Sequence, residues 1–494
     1  MDFAVLIFLA SGLFLGWSLG GNDAANVFGT AVGSRMLRFG TAAVICSVFV
    51  ILGAVLSGAG AAHTLGKLGS INALAGSFMA ALSAASAVYL MTKLGLPVST
   101  TQAIVGGIIG WNLFSQTVTD TATLTTILST WLICPILAAI FAVLLYLLVT
   151  WLLKVTRPHL LRIDAYTRLG LILAGAFGAY SLGANNIANV MGVFVPSSPF
   201  TDFNVFGLAT FTSTQQLFLL GALAIAVGVI TYSKRVMMTV GVGLLPLSPV
   251  GAWVAVVAHS LVLFIFASQG LERLLASLNL PTIPLVPVSS SQAVIGAVIG
   301  IGVLKGGRTI QWRMLGNIGL GWVATPILAG VICFVGLFFL QNVFNQEVYR
   351  AVPYRLSPAG LERLATQGVD TAPLAALAGQ RFGSAVAFQE ALEAAATLDS
   401  ATTATVLETA RLDQLHIGPA GMRQLDLNWL TPGQYAALKV LEGQSFEYRW
   451  TLADALARES EDWRKPADTN GNKVARKLLD DKLNEMYRIF RSDR

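Results

Sequence analysis

The chain repeatedly runs long distances without a single Asp, Glu, Lys or Arg. Residues 3–22, 39–66, 68–92, 94–119, 121–153, 169–201, 203–233, 236–271, 274–304 and 314–346 all lack them. A hydrocarbon core about 30 Å thick takes about 20 apolar residues per helix. So many windows of that length cannot all be interior helices of one water-soluble protein. The sequence therefore predicts a multi-pass protein of the cell (inner or plasma) membrane, partnered by the lipid bilayer. Charged residues are 12% of the 494, about half the usual soluble share of about 25%. The net charge of +6 does not indicate nucleic acid, because the basic residues gather at the ends of apolar windows. The N-terminal run has no basic residues ahead of it and passes directly into a polar phrase, so it reads as mature fold rather than a signal peptide. Cys46, Cys134 and Cys333 lie in apolar windows and read as small buried hydrophobes.

Composition changes near Glu347. Residues 1–346 hold 14 Lys+Arg and 6 Asp+Glu, leaving 18 and 20 for the last 148 residues. The segment 347–494 is therefore expected to be a soluble helical domain. "SAVAFQEALEAAATL" and "NKVARKLLDDKLNEMYRIF" carry apolar residues at three- and four-residue spacing, and Thr431-Pro432 suits a helix start. "DTNGNK" is not a calcium loop, since Lys473 stands where the sharp-turn glycine belongs and no closing acid follows.

The apolar part is written twice. "WSLGGNDAANVFG" (17–29) returns as "YSLGANNIANVMG" (180–192), and "LPVSTTQAIVGGIIG" (96–110) returns as "VPVSSSQAVIGAVIG" (286–300). Trp131 and Pro135 recur as Trp322 and Pro326 in the same order. Two repeats follow, 1–160 and 165–346. The predicted fold is all-α: a polytopic membrane protein with two internal, inverted repeats, broken or re-entrant helices and the C-terminal soluble helical domain. The basic cluster Lys154, Arg157, Arg162 and Arg168 votes for a cytoplasmic loop, and inversion is the commoner design where helices are broken.

Glycines at 20, 21 and 183, and prolines at 97 and 287, are expected to break helices within the membrane. Irregular backbone is tolerated there only where it faces protein or a watery cavity, and exposed helix N-termini suit anions. The breaks carry Asn22, Asp23, Asn26, Asn185, Asn186 and Asn189, then Ser99, Thr100, Thr101, Gln102, Ser289, Ser290, Ser291 and Gln292. Asp23 is the lone carboxylate, and no Arg or Lys accompanies it. Such oxygens serve a cation, while the N–H and O–H donors serve an oxyanion. An oxyanion held without arginine needs another positive partner, which Na⁺ or a proton would supply. Small residues can merely pack helices, but an intramembrane carboxylate marks a functional site. His63 reads as a loop histidine, Lys67 and Lys93 as snorkelling anchors, and Trp17, Trp111, Trp131 and Trp322 as belt or packing residues. The histidines and cysteines form no catalytic spacing, so no enzyme is expected.

"GGNDAANVFGT", its second copy "GANNIANVMG" and both "PVS" phrases resemble the inorganic phosphate transporter (PiT) family, whose signature is roughly G-x-N-D-x-x-N. The resemblance covers 1–346. It implies Na⁺- or H⁺-coupled symport of inorganic phosphate, with a site shared between inverted repeats and no cofactor beyond Na⁺ as a coupling ion. It places Asp23, Asn26, Asn186 and Asn189 with the coupling ion, the first, second and fourth as Na⁺ ligands. Asn22, Asn185, Ser99, Thr100, Thr101, Gln102, Ser289, Ser290, Ser291 and Gln292 would bind the oxyanion. Asn186 departs from the family, where Asp is usual. One charge fewer keeps sulfate, carried by some members, as the alternative; an anion channel or membrane receptor stands further back. A homodimer is an open expectation.

Overall fold

Inside a bilayer a backbone can satisfy its polar groups only within its own segment, so the charge-free windows wind into helices. The computed structural model describes residues 3–492 except 70, 95–97, 201, 206–208, 244–246, 308–309 and 426–428. Pro97, one of the expected breakers, lies outside the described residues. Repeat 1 contains α1 (Phe3–Gly33), α2 (Phe39–Ser57), α3 (Ala59–Leu68), α4 (Leu74–Lys93), α5 (Thr100–Ser115) and α6 (Thr121–Thr156). Repeat 2 contains α7 (Leu160–Met191), a short ribbon β1 (Phe203–Val205) and β2 (Ala209–Phe211), α8 (Ser213–Thr231), α9 (Ser233–Gly243), α10 (Pro249–Ala267), α11 (Gln269–Ser277), α12 (Ser290–Leu304) and α13 (Trp312–Asn342). Among the described residues, 8 helices are long and apolar enough to cross a membrane. The chain is a multi-pass membrane protein.

The repeats interlock by exchange. α1 packs on α8 as α7 packs on α2, and α5 packs on α13 as α12 packs on α6. Equivalent glycines make the contacts. Gly53 meets the Tyr180 carbonyl and Gly228 meets that of Trp17; Gly106 meets Pro326 and Gly296 meets Pro135. The repeats are also inverted. Gly12 near the start of α1 faces Val190 and Met191 near the end of α7, while Gly175 and Gly178 of α7 face Phe28 and Val27. Equivalent helices thus run antiparallel. An odd number of crossings per repeat produces this: α1, α2, α4 and α6 are long and apolar enough to span, and the shorter α5 makes the fifth. The same holds for α12, whose lead-in is the non-helical stretch 279–289.

One expectation is corrected. "GGND" and "GANN" do not break their helices: α1 and α7 run unbroken through Asp23 and Asn186. Glycine's helix-weakening cost of about 1 kcal/mol is offset by the close helix contact that a missing Cβ permits. Gly20 lies against the Ile225 carbonyl and Gly183 against that of Val50. The true breaks are at the serine-rich phrases, where α5 and α12 begin.

Alternating crossings sort the basic residues. Arg35, Arg38, Lys93, Lys154, Arg157, Arg162, Arg168, Lys234, Arg235, Lys305 and Arg313 lie at or beyond helix ends on one face. Lys67 and Arg273 are the described basic residues of the membrane part on the other, the face that carries the C-terminal segment. Cytoplasmic loops carry the Lys/Arg excess, so the C-terminal segment is expected outside the cytoplasm. In intact cells a membrane-impermeant maleimide should label Glu442→Cys and spare Arg157→Cys until the membrane is opened. The reverse pattern would invert this topology.

Beyond Glu347 the chain forms two hydrophobic clusters, one around Leu356, Leu364 and Phe388 and one around Leu438, Leu456 and Trp463. Short antiparallel ribbons, such as Leu412–His416 with Ser445–Tyr448, join the helices. Buried Asp413 lies 3.0 Å from Arg411, 2.5 Å from Arg449 and 3.6 Å from Arg491. Burial pushes its carboxyl up, but the three guanidiniums outweigh burial and hold it below the usual carboxylate range. This segment grips both repeats. Asn72 donates to the Arg350 carbonyl at 2.8 Å, and Trp111 to that of Val348 at 3.0 Å. His63, read from sequence as a loop residue, lies within α3 and pairs with Asp481 at 3.2 Å, and Lys477 pairs with Glu272 at 3.4 Å.

Candidate functional site

α1 and α7 present their polar faces to the two helix starts at α5 and α12. All fourteen singled-out side chains are buried, none more than 8% exposed. Each break is shaped by its own serine. Ser99 accepts from the Gln102 N–H at 3.3 Å, and Ser289 from the Gln292 N–H at 3.2 Å, as helix caps. The breaks then cross each other. The Thr101 hydroxyl donates to the Val288 carbonyl and the Ser291 hydroxyl to the Val98 carbonyl, both at 3.3 Å. These are equivalent bonds exchanged between the repeats.

Around this crossing the amides form a network. Asp23 accepts from Asn22 at 3.2 Å through Oδ1 and from Asn186 at 3.1 Å through Oδ2. Asn186 Oδ1 accepts from Asn185 at 2.8 Å and from Asn189 at 3.2 Å. Asn189 also donates to Thr101 Oγ1 at 2.8 Å. Asn26 donates to Ser290 Oγ at 3.0 Å. Thus Asp23 from repeat 1 is tied to Asn186 from repeat 2, and each repeat's last asparagine reaches the other repeat's hydroxyls. Asn185 is spent differently: its amide clasps Val288, donating to the carbonyl at 2.7 Å and accepting from the N–H at 2.9 Å. It holds the extended lead-in to α12.

Among the described residues of these phrases, three buried acceptor oxygens have no partner: Gln102 Oε1, Gln292 Oε1 and Asn189 Oδ1. Buried polar atoms almost always find partners, and amide oxygens of this kind are what a cation takes as ligands. Sequence reasoning missed His259 of α10, fully buried, whose Nε2 is 2.9 Å from Ser290 Oγ. The available signal was that it alone can titrate in the window 236–271. Of the other residues noted, Lys93 stacks its ammonium 4.8 Å from the Tyr89 ring, and Trp17 donates to Thr231 at 3.0 Å.

A family model described as the phosphate transporter family matches residues 19–333 and again 273–479. A Methanocaldococcus jannaschii protein bearing a phosphate permease name is 28% identical over 68% of this chain and 97% of its own. The "Probable low-affinity inorganic phosphate transporter" of Mycobacterium bovis is 26% identical, over 67% of this chain and 76% of its own. A solved structure titled "The sodium-dependent phosphate transporter" superposes with a TM-score of 0.55 at 20% identity, over 68% of this chain and 98% of that one. It shares the fold. With the matched model spanning both repeats and the site between them, the chain belongs to the phosphate transporter family.

Proposed function

We propose that the protein is an ion-coupled symporter of inorganic phosphate, working at the cluster where the two repeats meet. The observation that carries this reading is the lone carboxylate Asp23, buried and tied across the repeat boundary to Asn186. A buried carboxylate beside bare amide oxygens is a cation's donor set. The N-termini of α5 and α12, with the Thr100 and Ser290 hydroxyls at their first turns, are an oxyanion's; the Thr101 and Ser291 hydroxyls are spent on the Val288 and Val98 carbonyls. The cation supplies the positive charge that no arginine or lysine provides, so neither ion binds well alone. That mutual dependence is the physical content of coupling. Na⁺ fits Asp23, Asn26 and Asn189; a proton on Asp23 would serve the same bookkeeping. With both ions bound, the inverted repeats exchange conformations and the site opens to the opposite face.

Phosphate is favoured over sulfate because a phosphate oxygen near neutral pH still bears a hydrogen that Asp23 can accept. Proteoliposomes separate the alternatives. Uptake of ³²P-phosphate is expected to need an imposed Na⁺ or pH gradient, with ³⁵S-sulfate taken up poorly under the same gradient. Preferred sulfate uptake would reassign the substrate, and rapid gradient-independent flux would make the protein a channel.

A further inference from the structure

Two additions lie outside the internal duplication, and they meet. Six residues, 94–99, join α4 to α5, whereas twenty-two, 268–289, join α10 to α12. The extra length in repeat 2 holds α11 and the non-helical lead-in that ends at Ser289, in the site. The other addition is the C-terminal domain. Its last helix, Lys473–Ile489, buries Leu479, Leu483, Met486 and Ile489 within that domain. Lys473, Lys477 and Asp481 follow one another at four-residue spacing, which sets them in one row along the helix. That row faces the membrane part. Lys477 pairs with Glu272 of α11 at 3.4 Å, Lys473 donates to the Thr282 hydroxyl of the lead-in, and Asp481 pairs with His63 of α3 at 3.2 Å.

These contacts bridge two bodies. α4, α5 and α13 pack together on one flank of the site, and α6, α10 and α12 on the other. The C-terminal domain is rooted on the first. It continues directly from α13, and Asn72 before α4 and Trp111 of α5 donate to its Arg350 and Val348 carbonyls. Its two hydrophobic clusters are tied to each other by Arg363 with Asp454 and by the three arginines around Asp413. The last helix then reaches the second body through α11 and the lead-in, and Ser400 meets Thr121 at the start of α6 at 3.0 Å. The lead-in is the chain's path from this face to the site. Lys473 holds it at Thr282, Thr64 of α3 donates to its Leu285 carbonyl, and Asn185 clasps its Val288.

We infer that the C-terminal domain is a restraint on the opening of the site toward its own face: rooted on the α4–α5–α13 body, it holds the α6–α10–α12 body through Lys477–Glu272 and Lys473–Thr282, and that face opens only when the last helix lets α11 go. This rests on the alternating exposure proposed above and adds the element that governs one of its two openings. The strength of the hold suits the task. Exposed pairs of this kind shift an equilibrium by no more than about fivefold each, so the helix can release α11 and regain it in every cycle.

A reversible bridge across the contact tests this. Glu272→Cys with Lys477→Cys is joined by a short bis-methanethiosulfonate; the native Cys46, Cys134 and Cys333 are buried. Gradient-driven ³²P-phosphate uptake by the bridged full-length protein should fall about tenfold or more, since one of the two states is removed, and return when reductant cleaves the bridge. Asn72→Cys with Arg350→Cys, bridged within the first body, should keep its uptake. Full uptake by the bridged Glu272–Lys477 pair would mean that the helix travels with α11, and a pair that cannot be bridged would mean that it does not lie there; either overturns the proposal. A second measurement needs no transport. Leu285→Cys, buried beside α3, should react with a water-soluble maleimide about threefold faster once Lys477→Ala is added, and an unchanged rate would overturn the restraint. Uptake before bridging and monodispersity in detergent identify a variant that fails to fold, and the labelling then decides. Wild-type protein taking up no phosphate under any gradient would instead sink the symporter reading, with the Leu285→Cys labelling still reporting on the restraint.

Discussion

Asp23→Asn should abolish gradient-driven phosphate uptake, lowering it on the order of a hundredfold, with the protein still inserted and folded. The substitution is nearly isosteric, so the effect isolates charge. Asp23 accepts one hydrogen bond from Asn22 and one from Asn186. An asparagine retains one acceptor oxygen but sets its own NH₂ against a neighbouring NH₂. Asn186 cannot relieve this by flipping, because its Oδ1 already accepts from Asn185 and Asn189. More important, the site loses its only carboxylate. Without it a cation has only neutral oxygens to replace its hydration shell, and charge-assisted contacts are roughly twice as strong as neutral ones. A hundredfold loss corresponds to about 2.7 kcal/mol, a plausible size for one such contact. The measurement is initial-rate ³²P-phosphate uptake under imposed gradients, with expression and detergent stability compared to wild type. Wild-type uptake by this variant would place the coupling ion elsewhere.

Much of this site is legible in the sequence, for a reason that residues show. A chain short of charge that spends polar side chains twice, in the same order, is marking positions that meet. Asn26 and Ser290 are far apart in sequence and bonded in space, and the repeat pairing anticipates it. The number of repeats follows the same logic; their inversion does not, since the charge pattern leaves it open and only the commoner design of broken-helix transporters favours it. Other features depend on packing and leave no local trace. Gly20 and Gly183 look like breakers until the opposing carbonyls of Ile225 and Val50 are placed against them. Asn185 looks like its neighbours, yet it binds the Val288 backbone. His259 is one apolar-window residue among many until Ser290 is brought to it. Membrane sidedness was hidden because the charge rule needs loops grouped by face. That grouping requires knowing that α3 and α9 do not cross while α5 and α12 each complete a crossing.

The exchange of contacts between repeats makes a second strong prediction. Gly53→Ala and Gly228→Ala should each destabilise the protein by about 3 kcal/mol, the upper range for forcing extra volume into a packed interior, and by similar amounts. A Cβ at Gly53 would overlap the Tyr180 carbonyl, and one at Gly228 the Trp17 carbonyl. Both obstacles are backbone atoms of long helices, α7 and α1, which cannot turn aside as a side chain can. Relief requires separating α2 from α7, or α8 from α1, and these are the helices that carry Asn186 and Asp23. The added methyl should therefore cost stability and site geometry together. Gly319→Ala is the control: it is also helical, but open space surrounds it, and alanine should be tolerated there. Thermal unfolding of the purified proteins checks all three. If Gly53→Ala were as stable as Gly319→Ala, the repeats would not meet backbone to backbone. If only one of the matched pair were harmful, the two-fold exchange of contacts would fail, and with it the alignment of Asp23 opposite Asn186.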